Sequence, residues 1–309
     1  MKPITIPKPL RPGDTVAMIG VSGCIHQQET ARYVEENAQT LRSLGFRVRI
    51  DPTCAAQDGF LSGTDEARAE ALNRAFADDT VDGVWCQKGG YGVTRMLPMA
   101  DWDMIARHPK AFIGFSDITA LHSALHMRSG LATFHGPMPN GGRISAVSRP
   151  SLLKALAGEP EREFRNLNGE PLRPLRGGAA EGLLVGGNLS LLAAGCGTPW
   201  DLDTEGRLLF IEEVGEYSYR VDEFLWQLQH AGKLDRCAGI LLGGFTDCKE
   251  EYDHTHCFTT DEILEQMAAR VRVPVLAGLQ AGHTGDQVTL CLGRRYRMDA
   301  DAGRLTLAD

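Results

Sequence analysis

Short apolar runs alternate with amphipathic stretches along the first half of the chain. "DTVAMIG" (14–20) is an apolar run of strand length, and "QQETARYVEENAQTLRSLG" (27–45) follows with helical spacing and a closing Gly. "FRVRI" (46–50), "VDGVWC" (81–86), "AFIGF" (111–115) and "LATFHG" (131–136) are further predicted strands. Between them "TDEARAEALNRAFAD" (64–78) reads as a helix, with Thr64 placed to cap it three residues before Ala67. Such alternation predicts βαβ units and a mainly parallel sheet, because parallel neighbours need a crossover and a helix usually supplies it. Ligands of these sheets gather at the carboxyl ends of the strands. "KGGYG" (88–92) and Ser116 both fall there.

The pattern changes after "GEPEREFRNLNGEPLRPLRGGAA" (158–180), which is rich in Gly, Pro and Arg and lacks apolar periodicity. It reads as a connection, so the predicted organisation is a domain over 1–160, a linker over 161–180 and a second domain over 181–309. In the second domain "GLLVGG" leads into "NLSLLAAG", followed by the strand "GRLLFIEE" (206–213), the helix "YRVDEFLWQLQHAG" (219–232) and the strand "CAGILLGGF" (237–245). The closing "DQVTLCLGRRYRMDADAGRLTLAD" alternates apolar and polar residues around turns and predicts antiparallel strands that complete this smaller mixed domain. The expected class is α/β.

Charge narrows the partners. The net charge of −8 and the lack of any basic run argue against general nucleic-acid binding. The N-terminal "MKPITIPKPLRPGD" has no apolar core of a signal peptide, and no run approaches the roughly 18 apolar residues of a membrane span. A cytoplasmic protein without membrane attachment is therefore expected. Its eight cysteines are scattered without a CxxC pair and several lie in apolar runs, as Cys86, Cys237 and Cys291 do, which predicts buried free thiols.

The chemistry-bearing candidates begin with Ser116 in "IGFSDITALH", at a strand-to-helix corner. Two roles fit that place: a helix N-cap, or a nucleophile on a tight turn, although G-x-S-x-G itself is absent. Asp117 then opens the helix, and its backbone N–H would face a developing oxyanion. A serine hydroxyl needs a base. "LLFIEEVGE" puts Glu212 where an apolar strand meets solvent, with Glu213 expected on the opposite face and Glu216 beyond a Gly turn, while "LQAGHTGDQVTL" puts His283 in a loop between glycines. A terminal Glu or a loop His is ordinarily just solvated. The order Ser…Glu…His nevertheless matches that of α/β-hydrolase triads. "QKGGYG" (87–92) lacks the spacing of a phosphate loop, and its glycines suit close backbone approach to a reacting group, with one N–H as a second oxyanion donor. "DCKEEYDHTHC" (247–257) bunches Asp247, Cys248, Asp253, His254, His256 and Cys257, but in no zinc spacing. His122 and His126 lie one helical turn apart without the Glu of H-E-x-x-H, so packing or solvent exposure is expected for both.

"LRPGDTVAMIGVSG", "KGGYG", "IGFSDITALH", "FHGPM", "GGNLSLLAAGCGTPW", "LLFIEEVGEYSYRVDEFLWQL" and "AGHTGDQVTLCLG", in that order and spacing, resemble the LD-carboxypeptidase family of serine peptidases. That family contains murein tetrapeptide carboxypeptidases and microcin-immunity peptidases. The resemblance implies a Rossmann-like N-terminal domain, a swivelling C-terminal β/α domain and a homodimer, with no metal or organic cofactor. It implies Ser116 as nucleophile, His283 as base and Glu212 as its orienting carboxylate, with oxyanion donors from the backbone of Asp117 and of Gly89 or Gly90. The implied activity is release of a terminal D-amino acid from an L,D-peptide bond of a small muropeptide. Hydrolysis of aminoacyl- or peptidyl-nucleotide antibiotics and non-catalytic muropeptide binding are the alternatives. Lys88 stands where the family more often has Arg, Glu223 where a basic residue is common, and Cys291 where Pro is frequent. Glu223 and the 247–257 insertion bear on substrate choice, and "EYSYRVDEFLWQL" looks closer to the muropeptide-recycling branch.

Overall fold

The apolar runs of the first half become β1 (Thr15–Ile19), β2 (Arg47–Ile50), β3 (Gly83–Cys86), β4 (Ala111–Gly114) and β5 (Thr133–His135). The structure is a computed structural model and describes residues 3–26, 30–142, 144–251 and 256–308. These strands pair in parallel in the spatial order β2-β1-β3-β4-β5. The central three are buried along their whole length, whereas β2 at the edge exposes Arg47, Arg49 and Ile50. That difference is what burial on both faces demands of a central strand and relieves at an edge. The chain winds outward from β1 to β2 and then returns to β3, so a crevice opens at the carboxyl ends of β1 and β3. The helix Asp65–Ala77 starts as expected, with the Thr64 hydroxyl accepting from the Ala67 N–H at 3.2 Å.

Two compact units are present, 1–160 with 289–291, and 161–288 with 292–309. The second unit carries β6 (Glu163–Phe164), β7 (Arg173–Arg176), β8 (Ala179–Asn188), β9 (Leu208–Val214), β10 (Gly239–Thr246) and β11 (Val275–Ala277). The closing stretch then gives β12 (Leu290–Leu292), β13 (Arg295–Asp299) and β14 (Arg304–Leu307). The second sheet runs β6-β14-β13-β8-β9-β10-β11-β7, parallel from β8 to β11 and antiparallel toward both edges.

Two sequence expectations are corrected. The stretch 161–180 is not only a connection, since β6 and β7 form the two outer edges of the second sheet. Short edge strands tolerate Pro, Arg and Glu, so their composition is that of a loop. The closing stretch also does not stay in the second sheet. β12 joins the first sheet beside β5, where Cys291 shares an apolar cluster with Phe134 and Ile113 and the Thr289 N–H donates to Ser151 Oγ at 3.0 Å. Alternation of apolar and polar residues reports a half-buried strand, not the sheet that receives it. Among the described residues the cysteines form no disulfide, and Cys24, Cys54, Cys86, Cys237 and Cys291 are buried. Among the described residues no helix is long and apolar enough to cross a membrane.

His122 and His126 are both buried, which removes solvent exposure as a role for either. His122 joins β4 to β5: its Nε2–H donates to the Gly114 carbonyl at 2.9 Å and its Nδ1 accepts from the Thr133 hydroxyl at 2.8 Å. Burial disfavours its charged form and lowers the pKa from 6.5 to about 4. Between those values the unfolded chain takes up a proton that the folded chain refuses. Stability from His122 is therefore complete above pH 6.5 and falls as the pH drops toward 4, by up to about 1.4 kcal/mol per pH unit. Urea unfolding of the wild type and of His122→Gln from pH 7 to 4.5 tests this. The stability gap between them should narrow steadily with acidification, and a pH-independent gap would refute it.

Candidate active site

The first half of the candidate chemistry sits at the carboxyl end of β4. Phe115 is extended, Ser116 turns to φ +67°, and a 3-10 turn Ser116–Ile118 runs into the helix Thr119–Ala124. The cap position of the turn is Phe115 and that of the following helix is Ile118, so Ser116 lies inside the turn and the N-cap role does not hold. Among the described residues only Ser116 and Asp247 have a positive φ without being glycine. That conformation costs about 1–2 kcal/mol in an L-residue and lifts the hydroxyl out of the strand direction. The surrounding residues enforce the turn. Gly114 leaves room for Ile118 to fold back on β4, since a side chain there would start 2.8 Å from Ile118 Cγ2. Asp117 is buried, and its carboxylate accepts from the Ser22 hydroxyl at 2.6 Å and the Val93 N–H at 3.1 Å. Burial raises its pKa against the opposing pull of these two bonds. Its side chain thereby ties the loops after β1 and β3 to the turn.

The glycine loop after β3 is held by Gln87, whose backbone N–H donates to Ile19 O and whose side-chain amide donates to Cys54 O, each at 2.9 Å. A side chain at Gly89 would start 2.9 Å from Ser116 Cβ, 3.0 Å from Ser116 Oγ and 3.6 Å from the Asp117 backbone N. Gly90, at φ +133°, lies against Gly23 instead, with a would-be side chain 3.1 Å from Gly23 Cα. Gly89 is thus the glycine whose missing side chain faces Ser116, and Gly90 is the one that lets the β1 and β3 loops touch.

The second half lies on β9. Glu212 is fully buried, and its Oε2 accepts from the His283 Nδ1–H at 2.7 Å and from the His283 backbone N–H at 3.2 Å. Gly282 makes this approach possible, because a side chain there would start 2.6 Å from Glu212 Cγ. Glu213 takes different partners: the Asn188 side-chain amide at 2.7 Å, the Ser190 N–H at 2.8 Å and its own neighbour's N–H, Val214, at 2.8 Å. Adjacent strand residues point to opposite faces, which is why two consecutive glutamates do different work. Burial pushes the Glu213 carboxyl up despite these bonds. Glu216 instead pairs with Arg220, at 3.9 Å.

A proton on Nδ1 of His283 leaves Nε2 as the basic nitrogen. If Nε2 is then protonated, Glu212 directly compensates the imidazolium, and the buried carboxylate gains the counter-charge that burial requires. Sequence reasoning missed Ser22, Asn188 and Gly282. "GVSG" and "GGN" lie in short glycine-flanked segments after or within strands, and that was the only available signal. Among the described residues no three His, Cys, Asp or Glu side chains converge on a metal position. Of the 247–257 candidates, Asp253 and His254 lie outside the described residues, and the Cys248 thiol is pushed up to about 11 by burial.

Residues 16–136 match the model of the LD-carboxypeptidase N-terminal domain, and residues 181–298 match that of the LD-carboxypeptidase C-terminal domain. A probable murein peptide carboxypeptidase of Bacillus subtilis is 37% identical over 296 residues, which cover 95% of this chain and 91% of that protein. The murein tetrapeptide carboxypeptidase of Pseudomonas aeruginosa is 37% identical over 79% of this chain and 82% of its own length. The crystal structure of a muramoyltetrapeptide carboxypeptidase from Oxalobacter formigenes superposes with a TM-score of 0.80 at 28% identity, over 95% of this chain and 97% of that one. A microcin self-immunity protein of Escherichia coli is 26% identical over 97% of this chain and 95% of its own length.

The close approach of Gly282 to Glu212 generates a stability test. Gly282→Ala adds a methyl group against the Glu212 side chain at a residue with φ +94°, and should destabilise by roughly 1–3 kcal/mol. Gly285, three residues on, has open space and no positive φ, so Gly285→Ala should stay within about 0.5 kcal/mol of the wild type. Equal urea midpoints for the two variants would contradict the packing described.

Proposed function

The chain belongs to the LD-carboxypeptidase family and is a serine carboxypeptidase, and we propose that it releases terminal D-alanine from murein tetrapeptides through Ser116, His283 and Glu212. The observation that carries this assignment is the buried Glu212 bonded to Nδ1 of His283. A solvated glutamate and a surface histidine would have no reason to form that pair. The substrate is taken from the murein carboxypeptidases at 37% identity. The family's pattern extends the proposal to a cytoplasmic homodimer that recycles cell-wall peptides and uses no cofactor.

In the proposed reaction, Ser116 Oγ attacks the carbonyl carbon of the bond before D-alanine while His283 Nε2 takes the hydroxyl proton. Backbone N–H groups of Asp117 and of Gly89 or Gly90 receive the oxyanion. The C–N bond then breaks and His283 returns its proton to the leaving amine. A water molecule attacks the acyl-enzyme, gives its proton to Nε2, and Ser116 Oγ departs and recovers that proton. Glu212 holds the Nδ1–H tautomer throughout and balances the imidazolium.

A second reading is hydrolysis of aminoacyl-nucleotide antibiotics, supported by the Escherichia coli self-immunity relative at 26% identity. The higher identity to the murein carboxypeptidases, 37% against 26%, favours the first.

Ser116→Ala and His283→Ala should each lower turnover by about 10³-fold or more with folding intact, and the double variant should lose little beyond either single one, because members of a catalytic unit are not additive. Glu212→Gln should cripple turnover, whereas Glu213→Gln should chiefly lower the unfolding midpoint through its bonds to Asn188 and Ser190. Full activity in folded Ser116→Ala, or additive losses in the double variant, would overturn the assignment.

Substrate choice is read by mass spectrometry of alanine release from a murein tetrapeptide, from its terminal L-Ala epimer, and of turnover of an aminoacyl-sulfamoyl-adenosine. Inverting the terminal α-carbon displaces the carboxylate and the scissile carbonyl, and misplacement of about 1 Å can cost about 10²-fold. The D-Ala peptide should therefore lead by about that factor. Equal rates on both epimers would remove the L,D specificity, and faster adenylate turnover would support the second reading.

A further inference from the structure

A carboxypeptidase must distinguish a chain end from an internal bond, and the free carboxylate is the mark that does so. That carboxylate carbon is three covalent bonds from the scissile carbonyl carbon, hence within about 4 Å of it. A cation that reads it must therefore stand close to the nucleophile. We propose that Lys88 binds the terminal carboxylate of the substrate and so confines the enzyme to chain ends, an inference that rests on Ser116 being the nucleophile.

Lys88 directly precedes Gly89, whose missing side chain faces Ser116. Its ammonium donates to the Cys24 carbonyl at 2.8 Å and lies 3.5 Å from the place a Gly23 side chain would occupy. The group is half-buried, and burial lowers its pKa. Among the described residues it has no carboxylate partner, so a half-buried charge with two N–H donors beyond the Cys24 bond stands at this end of the sheet. The neighbouring cations are already engaged. Arg68 donates to Val21 O at 2.9 Å, to Gly92 O at 2.8 Å and to the Asp65 carboxylate, and Arg95 is paired with Asp65 at 2.9 Å. The nearby acid, Asp117, is turned to Ser22 and Val93. An incoming carboxylate would supply the counter-charge Lys88 lacks, in a half-desolvated place where charge-assisted bonds are strongest.

The test compares the tetrapeptide as free acid with the same peptide ending in a carboxamide, for wild type, Lys88→Met and Lys88→Arg, together with the rate of Ser116 labelling by a fluorophosphonate. The wild type should prefer the free acid. Lys88→Met should lose that preference through a rise in KM for the acid, with kcat/KM for it down about 10- to 100-fold, while the carboxamide rate and Ser116 labelling change little. Lys88→Arg should retain the preference. Equal losses on both substrates would show a merely structural role, and an unchanged acid preference would show that the carboxylate is read elsewhere; either overturns the proposal. Absence of fluorophosphonate labelling at Ser116 in the wild type would instead overturn the nucleophile assignment, a result separate from the acid-to-amide ratio.

Discussion

A carboxylate with no exposed surface, Glu212, is sustained by the ring and the backbone of a single residue, His283. Much of the second unit answers to that constraint. β9 must be central enough to bury Glu212, so β8 and β10 flank it on both sides. The loop that brings His283 must come within contact of the Glu212 side chain, so position 282 can carry none. The neighbouring buried carboxylate, Glu213, would be a second uncompensated charge. Asn188 and the start of the helix Leu189–Gly195 supply its donors instead. One strand end thus presents two carboxylates in opposite directions, one bonded to an imidazole and the other fixed into the scaffold.

The first unit achieves its geometry with backbone more than with charge. Its crevice is made where the winding reverses between β1 and β3, and glycines at 89, 90 and 114 let segments pack closer than side chains ordinarily allow. The strain of Ser116 is borne because both sides of the turn are over-determined: Ile118 is packed against β4, and Asp117 is bonded to two separate loops. Strain held by such cross-bracing is what one expects where a side chain must be presented instead of packed. Charge enters this unit's site through Lys88, which is anchored by a carbonyl and not neutralised by an acid among the described residues.

The amino-acid sequence by itself determined the β-α alternation of the first half, the cap at Thr64, the corner at Ser116 and the glutamate pair at the end of β9. These features are local: periodicity, capping and strand alternation act over a few residues and leave their signature in order. It left Ser116 between a cap and a nucleophile, because both use a small polar residue at the same corner. The positive φ that separates them is imposed by Ile118 packing and by the bonds of Asp117, partners that lie elsewhere in the chain. The tertiary structure alone decided that "LCL" at 290–292 belongs to the first sheet and that 163–164 and 173–176 are edge strands, since strand partners are chosen by register and burial across long sequence separations. The resemblance already implies Glu212 as the partner of His283, but the contact itself is tertiary, because 71 residues separate that pair and packing around Gly282 brings them together.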